Sequence, residues 1–340
     1  MITENLSTSA KDYESSISRA AEILTKSGIV AIPTETVYGL AASAYDETAI
    51  EKVFIAKGRP QDNPLIVHIC NNAMLHSVAC NIPSIALKCA EIFWPGPFTM
   101  VLPKTEKAAK NVTAGLESVA VRMPDNKVAL DIIEKSGLPL AAPSANTSGS
   151  PSPTSANHVK ADLDGKIDAI VFGEDCKVGV ESTVVSFVCN PPRLLRPGGI
   201  TAEQLKKIIP DIVIDNAVLS EPQKDAKVES PGMKYKHYAP KTEAYLVEGE
   251  SKEFVNFVNA QTASAAICFE EESEKIAIQK LCYGLCENEE TLAKNVFSVL
   301  REIDNLNLDK VYIHAPSKSG VGLAVYNRLL RAAGFKVIKL

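Results

Sequence analysis

The stretch Gly28–Ile69 constrains this chain more than any other, because strand, polar turn, helix and strand follow one another there without a gap. Ile29 to Ile32 is the short apolar run of a buried strand. Pro33 stops it, and Thr34, Glu35 and Thr36 are displayed before Tyr38 and Gly39. Asp46 then stands as the N-cap of a helix whose Ala49, Ile50, Val53, Phe54 and Ala56 share a face. The helix runs out at Lys57-Gly58-Arg59-Pro60, where glycine and proline cannot continue it. Asn63-Pro64 opens a second apolar strand, Leu65 to Ile69, carrying His68. This order predicts an α/β fold that brings hydroxyls, two cations and an imidazole towards one patch. A polyanion with a small polar co-substrate needs such a set, since Arg offers a planar fork of donors and Lys a point charge. Taken alone, Lys57-Gly58-Arg59 reads better as a solvated basic turn.

The rest of the chain keeps alternating. Ile17, Ala20, Ala21, Ile23 and Leu24 mark an amphipathic helix ended by Gly28, and 85–93 marks another, broken by Trp94-Pro-Gly-Pro97. Those prolines read as a rigid turn in preference to a ligand wall. Phe98 to Leu102 is strand-like, as is Ser118 to Pro124, where Ser118, Ala120 and Arg122 share a face. Arg122 either faces water or, turned inward, must be paired. A helix over 125–135 leads to the strand-like 138–142, which empties into Pro143-Ser-Ala-Asn-Thr-Ser-Gly-Ser150. Backbone N–H groups of such a loop can approach a phosphate, although most Ser/Gly loops are only loops. Strands follow over 168–172 and 182–187, with Gly179-Val-Glu-Ser-Thr183 between them, and Leu194-Leu-Arg-Pro-Gly-Gly199 ends another. Thr201 caps a short helix, and the first domain, residues 1–215, closes.

Residues 216–240 lack a period and hold three prolines, the composition of a linker. Yet Met233, Lys234, Tyr235, Lys236, His237 and Tyr238 suit a lid better than a spacer. Residues 241–340 read as a smaller α/β domain, with strands over 244–247, 265–269, 311–314 and 336–340 and helices over 291–303 and 320–333. Ser319-Gly-Val-Gly322 is similar to a phosphate-binding turn without the full Gly-x-Gly-x-x-Gly pattern.

Composition narrows the classes. The 340 residues exceed one usual core, 46% are apolar, and mean hydropathy is +0.01, as in a soluble two-domain protein. The first residues are polar and acidic, unlike a secretory signal, and no apolar run reaches the ~20 residues of a membrane helix. The net charge of −5 counts against a nucleic-acid coat, so anion binding must be local. Eight cysteines without a C-x-x-C pair read as reduced, mostly buried thiols in a cytoplasmic protein, with no zinc site. No Ser-His-Asp set or His-Glu-x-x-His motif offers a protein nucleophile or metal. What remains is a positive, hydroxyl-lined cavity.

Pro33-Thr-Glu-Thr-Val-Tyr-Gly39, Lys57-Gly-Arg59-Pro60 and Pro64-Leu-Ile-Val-His68 resemble the YrdC family. Pro143-Ser-Ala-Asn146 and Ser230-Pro-Gly-Met-Lys-Tyr-Lys-His-Tyr-Ala-Pro240 point to its two-domain branch, whose members are threonylcarbamoyl-AMP synthases. The resemblance implies a twisted open mixed sheet with flanking helices around a concave cavity, and a smaller Rossmann-like accessory domain over 241–340. It implies that threonine captures bicarbonate as a carbamate, which attacks the α-phosphorus of ATP and expels pyrophosphate. Magnesium would ride on the ATP phosphates, with no protein metal ligands. Lys57, Arg59, Ser144 and Asn146 match the family's central pairs. Asn63, Ser118, Ala142, Arg196 and Tyr235 would complete the ATP site, and Thr36, His68, Arg122 and Ser182 would hold threonine. His68 read from its strand alone is as much a core histidine as a ligand. The product would pass to a tRNA threonylcarbamoyltransferase for modification next to the anticodon. Two other readings stand beside this one: a module for double-stranded RNA or tRNA, and a carbamoyl-phosphate-dependent carbamoyltransferase.

Overall fold

The computed structural model describes residues 2–221 and 238–340. The larger sheet is mixed and comprises β1 (Glu4–Ser7), β2 (Val30–Ile32), β3 (Gly39–Ser43), β4 (Ile66–His68), β5 (Phe98–Pro103), β6 (Ser118–Arg122), β7 (Leu140–Ala141), β8 (Ala169–Phe172), β9 (Thr183–Ser186), β10 (Arg193–Arg196) and β11 (Val213–Ile214). Their spatial order is β1-β8-β2-β3-β7-β4-β6-β5-β9-β10-β11. Around it lie α1 (Tyr13–Thr25), α2 (Glu47–Lys57), α3 (Asn72–Val78), α4 (Ser84–Phe93), α5 (Lys127–Ser136), α6 (Ala156–Leu163) and α7 (Ala202–Ile208).

Strand alternation divides the core. Ala31, Ala141 and Ile170 enter one apolar cluster with Ile50 of α2, Cys89 of α4, Val159 of α6 and Leu205 of α7. Their neighbours Val30, Ile32, Leu140, Ala169 and Val171 enter another with Leu24 of α1 and Ile132 of α5. Further along the sheet the second face carries only a small cluster of Ile66, Val101, Ala120, Val184 and Leu195. The candidate site opens on that face.

Local chemistry sets the element ends. The Asp46 carboxylate accepts from the amides of Thr48 and Ala49, and Gly58 closes α2 at φ 61°. Thr201 and Gln204 form a capping box on α7. Elements without a strong periodic signal, namely β1, β3, α3 and α6, are supplied by the fold. Strand β1, for example, is a polar edge strand parallel to β8.

The second sheet holds β12 (Glu243–Glu248), β13 (Ser264–Phe269), β14 (Gln279–Gly284), β15 (Lys310–His314) and β16 (Val337–Lys339) in the order β14-β13-β15-β12-β16. Every pairing in it is parallel. Helices α8 (Ser251–Asn259), α9 (Glu289–Glu302) and α10 (Gly322–Ala332) accompany it. Strand β14 and helix α8 add to the elements expected from sequence. The two sheets thus form an α/β molecule with a large mixed sheet and a smaller parallel one.

The second unit is packed against the first. Val37 and Val180 are buried in the same apolar cluster as Tyr238, Phe297 of α9 and Ala324 of α10. Gly179 permits this approach: at φ 82°, a Cβ there would lie 2.3 Å from the Lys294 Cα. A short element opens the segment 216–240. Asn216–Val218 forms one 3₁₀ turn, Val218 is buried, and Asn327 Nδ2 donates to its carbonyl at 2.6 Å. Cysteine burial is less complete than the composition predicts: Cys89, Cys176 and Cys268 are buried, whereas Cys286 is exposed. Among the described residues no helix is long and apolar enough to cross a membrane.

Candidate active site

A cavity of about 730 Å³, mouth included, opens on the thinly covered face of the larger sheet. Sheet register assembles one end of it. Parallel pairing sets His68 beside Arg122, antiparallel pairing sets Thr99 beside Arg122, and the Thr99 hydroxyl lies 2.7 Å from that of Ser182. Arg122 therefore points inward and is buried, and it is paired as burial requires. Its Nη1 donates to Thr36 Oγ1 at 2.8 Å and its Nε to the Gly96 carbonyl at 3.2 Å.

Glu35 also faces this arginine, Oε1 lying 2.7 Å from Nη2. The approach is close but out of line, so neither Glu35 oxygen nor Nη2 completes a hydrogen bond among the described residues. We read it as an ion pair with hydrogen-bonding capacity to spare. Burial, with Arg122 beside it, lowers His68 to about 3, so its imidazole is neutral. Its Nδ1 has no hydrogen-bond partner among the described residues. Ser182 is fixed between Thr99 and Arg196, whose Nη2 donates to its hydroxyl at 3.1 Å and whose Nε donates to its carbonyl at 3.0 Å.

The other end is built by the C-terminus of α2 and the loop after β7. Lys57 is buried, and its ammonium donates to the carbonyls of Ser144 at 2.5 Å and Asn146 at 2.6 Å. Burial, with Arg59 nearby, lowers its affinity for a proton well below the ordinary lysine range. The Ser144 hydroxyl donates to Asn146 Oδ1 at 2.6 Å, and Asn146 Nδ2 donates to the carbonyls of Thr147 and Ser150 at 2.8 Å each. Lys57 and Asn146 thus tie the loop into shape, and its Ala145, Thr147, Ser148 and Ser150 amides donate to the Tyr38 carbonyl, Asp162 Oδ2, the Lys57 carbonyl and the Thr147 carbonyl. Arg196 is held at about 10 chiefly by burial and by Arg328, so it remains a cation.

Of the residues expected from sequence, Thr36, Lys57, Arg59, His68, Arg122, Ala142, Ser144, Asn146, Ser182 and Arg196 line one cavity. Asn63 is buried next to it, with both side-chain polar atoms lacking hydrogen bonds among the described residues, and Arg59 Nη2 reaches its carbonyl at 3.5 Å. Ser118 opens β6 opposite Pro103 and does not line the cavity. Tyr235 and most of its motif lie outside the described residues; Tyr238 is described, buried and on the cavity wall.

Sequence reasoning gave no role to Glu35 or Glu181. Burial would raise Glu181, but Arg328 and Arg196, with the Ser152 hydroxyl, hold it below the usual carboxylate range. The available signal was a lone acid inside a nearly apolar run, which demands a partner if buried. The Ser319–Gly322 turn is not open to phosphate: the Gly322 amide donates to Glu289 Oε2 at 2.8 Å.

Fold and cavity define a class: an open-sheet α/β protein with a cation-lined, anion-sized site, on which a parallel α/β domain is docked. Known proteins then narrow it. Residues 22–198 match the Sua5, YciO and YrdC family, described as telomere recombination, and residues 200–334 match the family described as threonylcarbamoyl-AMP synthase, C-terminal domain. The chain belongs to the Sua5/YciO/YrdC family, in its two-domain form. It is 44% identical to the threonylcarbamoyl-AMP synthase of Pyrococcus abyssi, over 94% of this chain and 95% of that protein. The Bacillus subtilis threonylcarbamoyl-AMP synthase is 43% identical, over 99% and 97%. The crystal structure of P. abyssi Sua5 complexed with L-threonine superposes with a TM-score of 0.91 at 41% identity, covering both chains in full.

Proposed function

We infer that this chain is a threonylcarbamoyl-AMP synthase, a nucleotidyltransferase that joins threonine, bicarbonate and ATP and releases pyrophosphate. Full-length likeness to two synthases supports the activity. The observation that carries the reading of the site is the convergence of Lys57, Arg59, Arg122 and Arg196 on one cavity beside four serines, two threonines and a neutral imidazole. Threonine lies at the sheet end: Arg122 meets its carboxylate with the spare Nη2, Ser182 and Thr36 add hydroxyls, and neutral His68 accepts from the threonine hydroxyl or ammonium. ATP lies along the 143–150 loop, its phosphates on Arg59 and Arg196, with Asn63 and Ala142 beside the nucleotide.

No side chain needs to attack. The amine of threonine attacks bicarbonate, forming the carbamate C–N bond as water leaves; the carbamate oxygen then forms a bond to the α-phosphorus, and the bond to pyrophosphate breaks. The protein positions the reactants and offsets charge that develops on phosphorus. Cations, hydroxyls and amides suit phosphate oxygens better than a metal, so magnesium is carried by the phosphates of ATP. Residues 1–215 act as the catalytic unit, which residues 241–340 support. The product passes to a tRNA threonylcarbamoyltransferase in the cytoplasm.

Pyrophosphate release from ATP tests this directly. It should require threonine and bicarbonate together; release indifferent to threonine overturns the assignment.

A further inference from the structure

The loop Pro143–Pro153 is gripped from two sides. Its first part is tied within the larger sheet: Lys57 donates to the carbonyls of Ser144 and Asn146, and the Ala145 amide donates to the Tyr38 carbonyl at 2.8 Å. Its second part is tied by groups whose other end belongs to the C-terminal domain. Arg301 of α9 donates to the Pro151 carbonyl at 2.5 Å and forks onto Asp162, at 3.0 and 2.9 Å. Asp162 Oδ2 in turn accepts from the Thr147 amide at 3.2 Å. Arg328 of α10, fully buried, donates from Nε to Glu181 Oε2 at 2.7 Å, and Glu181 Oε1 accepts from the Ser152 hydroxyl at 2.5 Å.

We propose that the C-terminal domain shapes the nucleotide-binding loop through Arg301, a positioning residue that touches no substrate, with Arg328 acting in parallel through Glu181. The inference rests on the reading that this loop receives ATP. A docking contact alone needs only complementary surfaces, and the Val37–Val180–Phe297 packing already provides that. Arg301 goes further, because its guanidinium reaches across the interface to a loop carbonyl and to the carboxylate that holds a loop amide. A Ser/Thr/Gly segment with Gly149 at φ 92° has little stiffness of its own. Fixing it before ATP arrives removes an ordering cost that binding would otherwise bear. Neither arginine lines the cavity, but Glu181, which Arg328 grips, does, so Arg301 is the cleaner reporter of the loop's effect on ATP.

The test is calorimetric titration of full-length Arg301→Ala, Arg301→Lys and Asp162→Asn with ATP and, separately, with threonine. ATP binding to Arg301→Ala should weaken about tenfold, the scale of one lost charge-assisted contact, while threonine binding holds. Arg301→Lys should recover part of the loss, since an ammonium reaches one partner but not the fork. Asp162→Asn should move in the same direction, and combining it with Arg301→Ala should add little. Unchanged ATP binding in Arg301→Ala overturns the inference, as does equal weakening for ATP and threonine. Failure of the synthase reading looks different: ATP binds the wild-type chain and responds to Arg301, yet no threonine-dependent pyrophosphate appears.

Discussion

Two Ser/Gly turns of this chain read in sequence as anion sites, and they meet opposite fates. The loop after β7 lies on a cavity wall with Arg59 and Arg196 nearby. The turn before α10 closes on its own domain: Glu289 fills it so tightly that a Cβ on Gly320 would lie 2.4 Å from Oε2 and one on Gly322 2.7 Å from Oε1. The nearest lysine in sequence, Lys318, pairs instead with Glu248 at 2.7 Å. Amide donors are common at helix starts. What separates the two turns is their surroundings: the loop after β7 lines a cavity beside cations even though Asp162 takes its Thr147 amide, whereas Glu289 fills the turn before α10.

The sharpest way to break this contrast is Arg59→Ala. If the loop after β7 is the nucleotide site, turnover should fall about a hundredfold or more with the fold intact, as when one charge-stabilising donor is removed. Pyrophosphate release and circular dichroism check the two halves of that statement, and near-normal kinetics would leave the two turns on equal terms.

Truncation after residue 215 should come next in size. It strips away Arg301, Arg328 and the apolar cover of Val37 and Val180, so ATP use should be impaired while the larger sheet persists. Normal turnover by the truncated chain would separate the loop from its supports.

Glu181→Gln leaves Arg328 fully buried without its counter-charge. A loss of about 3–5 kcal/mol in unfolding free energy follows from breaking one side of a buried pair, measurable by denaturant titration.

Protonation gives a milder handle. His68 is lowered from near 6.5 to about 3 in the fold, so the unfolded chain binds the extra proton first. Its contribution to stability is complete above about 6.5 and is lost as pH falls towards about 3. Replacing His68 by Asn should flatten that part of the pH–stability curve.

Glu289→Ala should have the smallest effect, about 1 kcal/mol at the start of α10, with pyrophosphate release unchanged. Protection of residues 319–322 by ATP in hydrogen exchange would reverse the comparison.

Much of the site was legible because its residues sit at the ends of strongly patterned elements. Asp46, Gly58 and Pro60 delimit α2 and so fix where Lys57 and Arg59 emerge. Alternation along Ser118–Arg122 placed Arg122 on one face, and the run into Pro143 placed Ser144 and Asn146 in a loop. Short elements were not legible, since β1 and α3 gain their order from neighbours and not from their own periodicity. Partners of buried charges were equally hidden: nothing near Arg122 in sequence names Glu35, which reaches it from a different segment.

Sequence by itself determined the α/β class, the element boundaries around the motifs and the identity of the residues that could meet an anion, because capping, period and residue chemistry are local. Tertiary structure alone decided that Lys57 serves the loop, that Glu289 fills one turn, and that arginines from the last domain hold the other. Those choices depend on which groups distant segments bring within about 3 Å of each other, where hydrogen bonds and desolvation are settled.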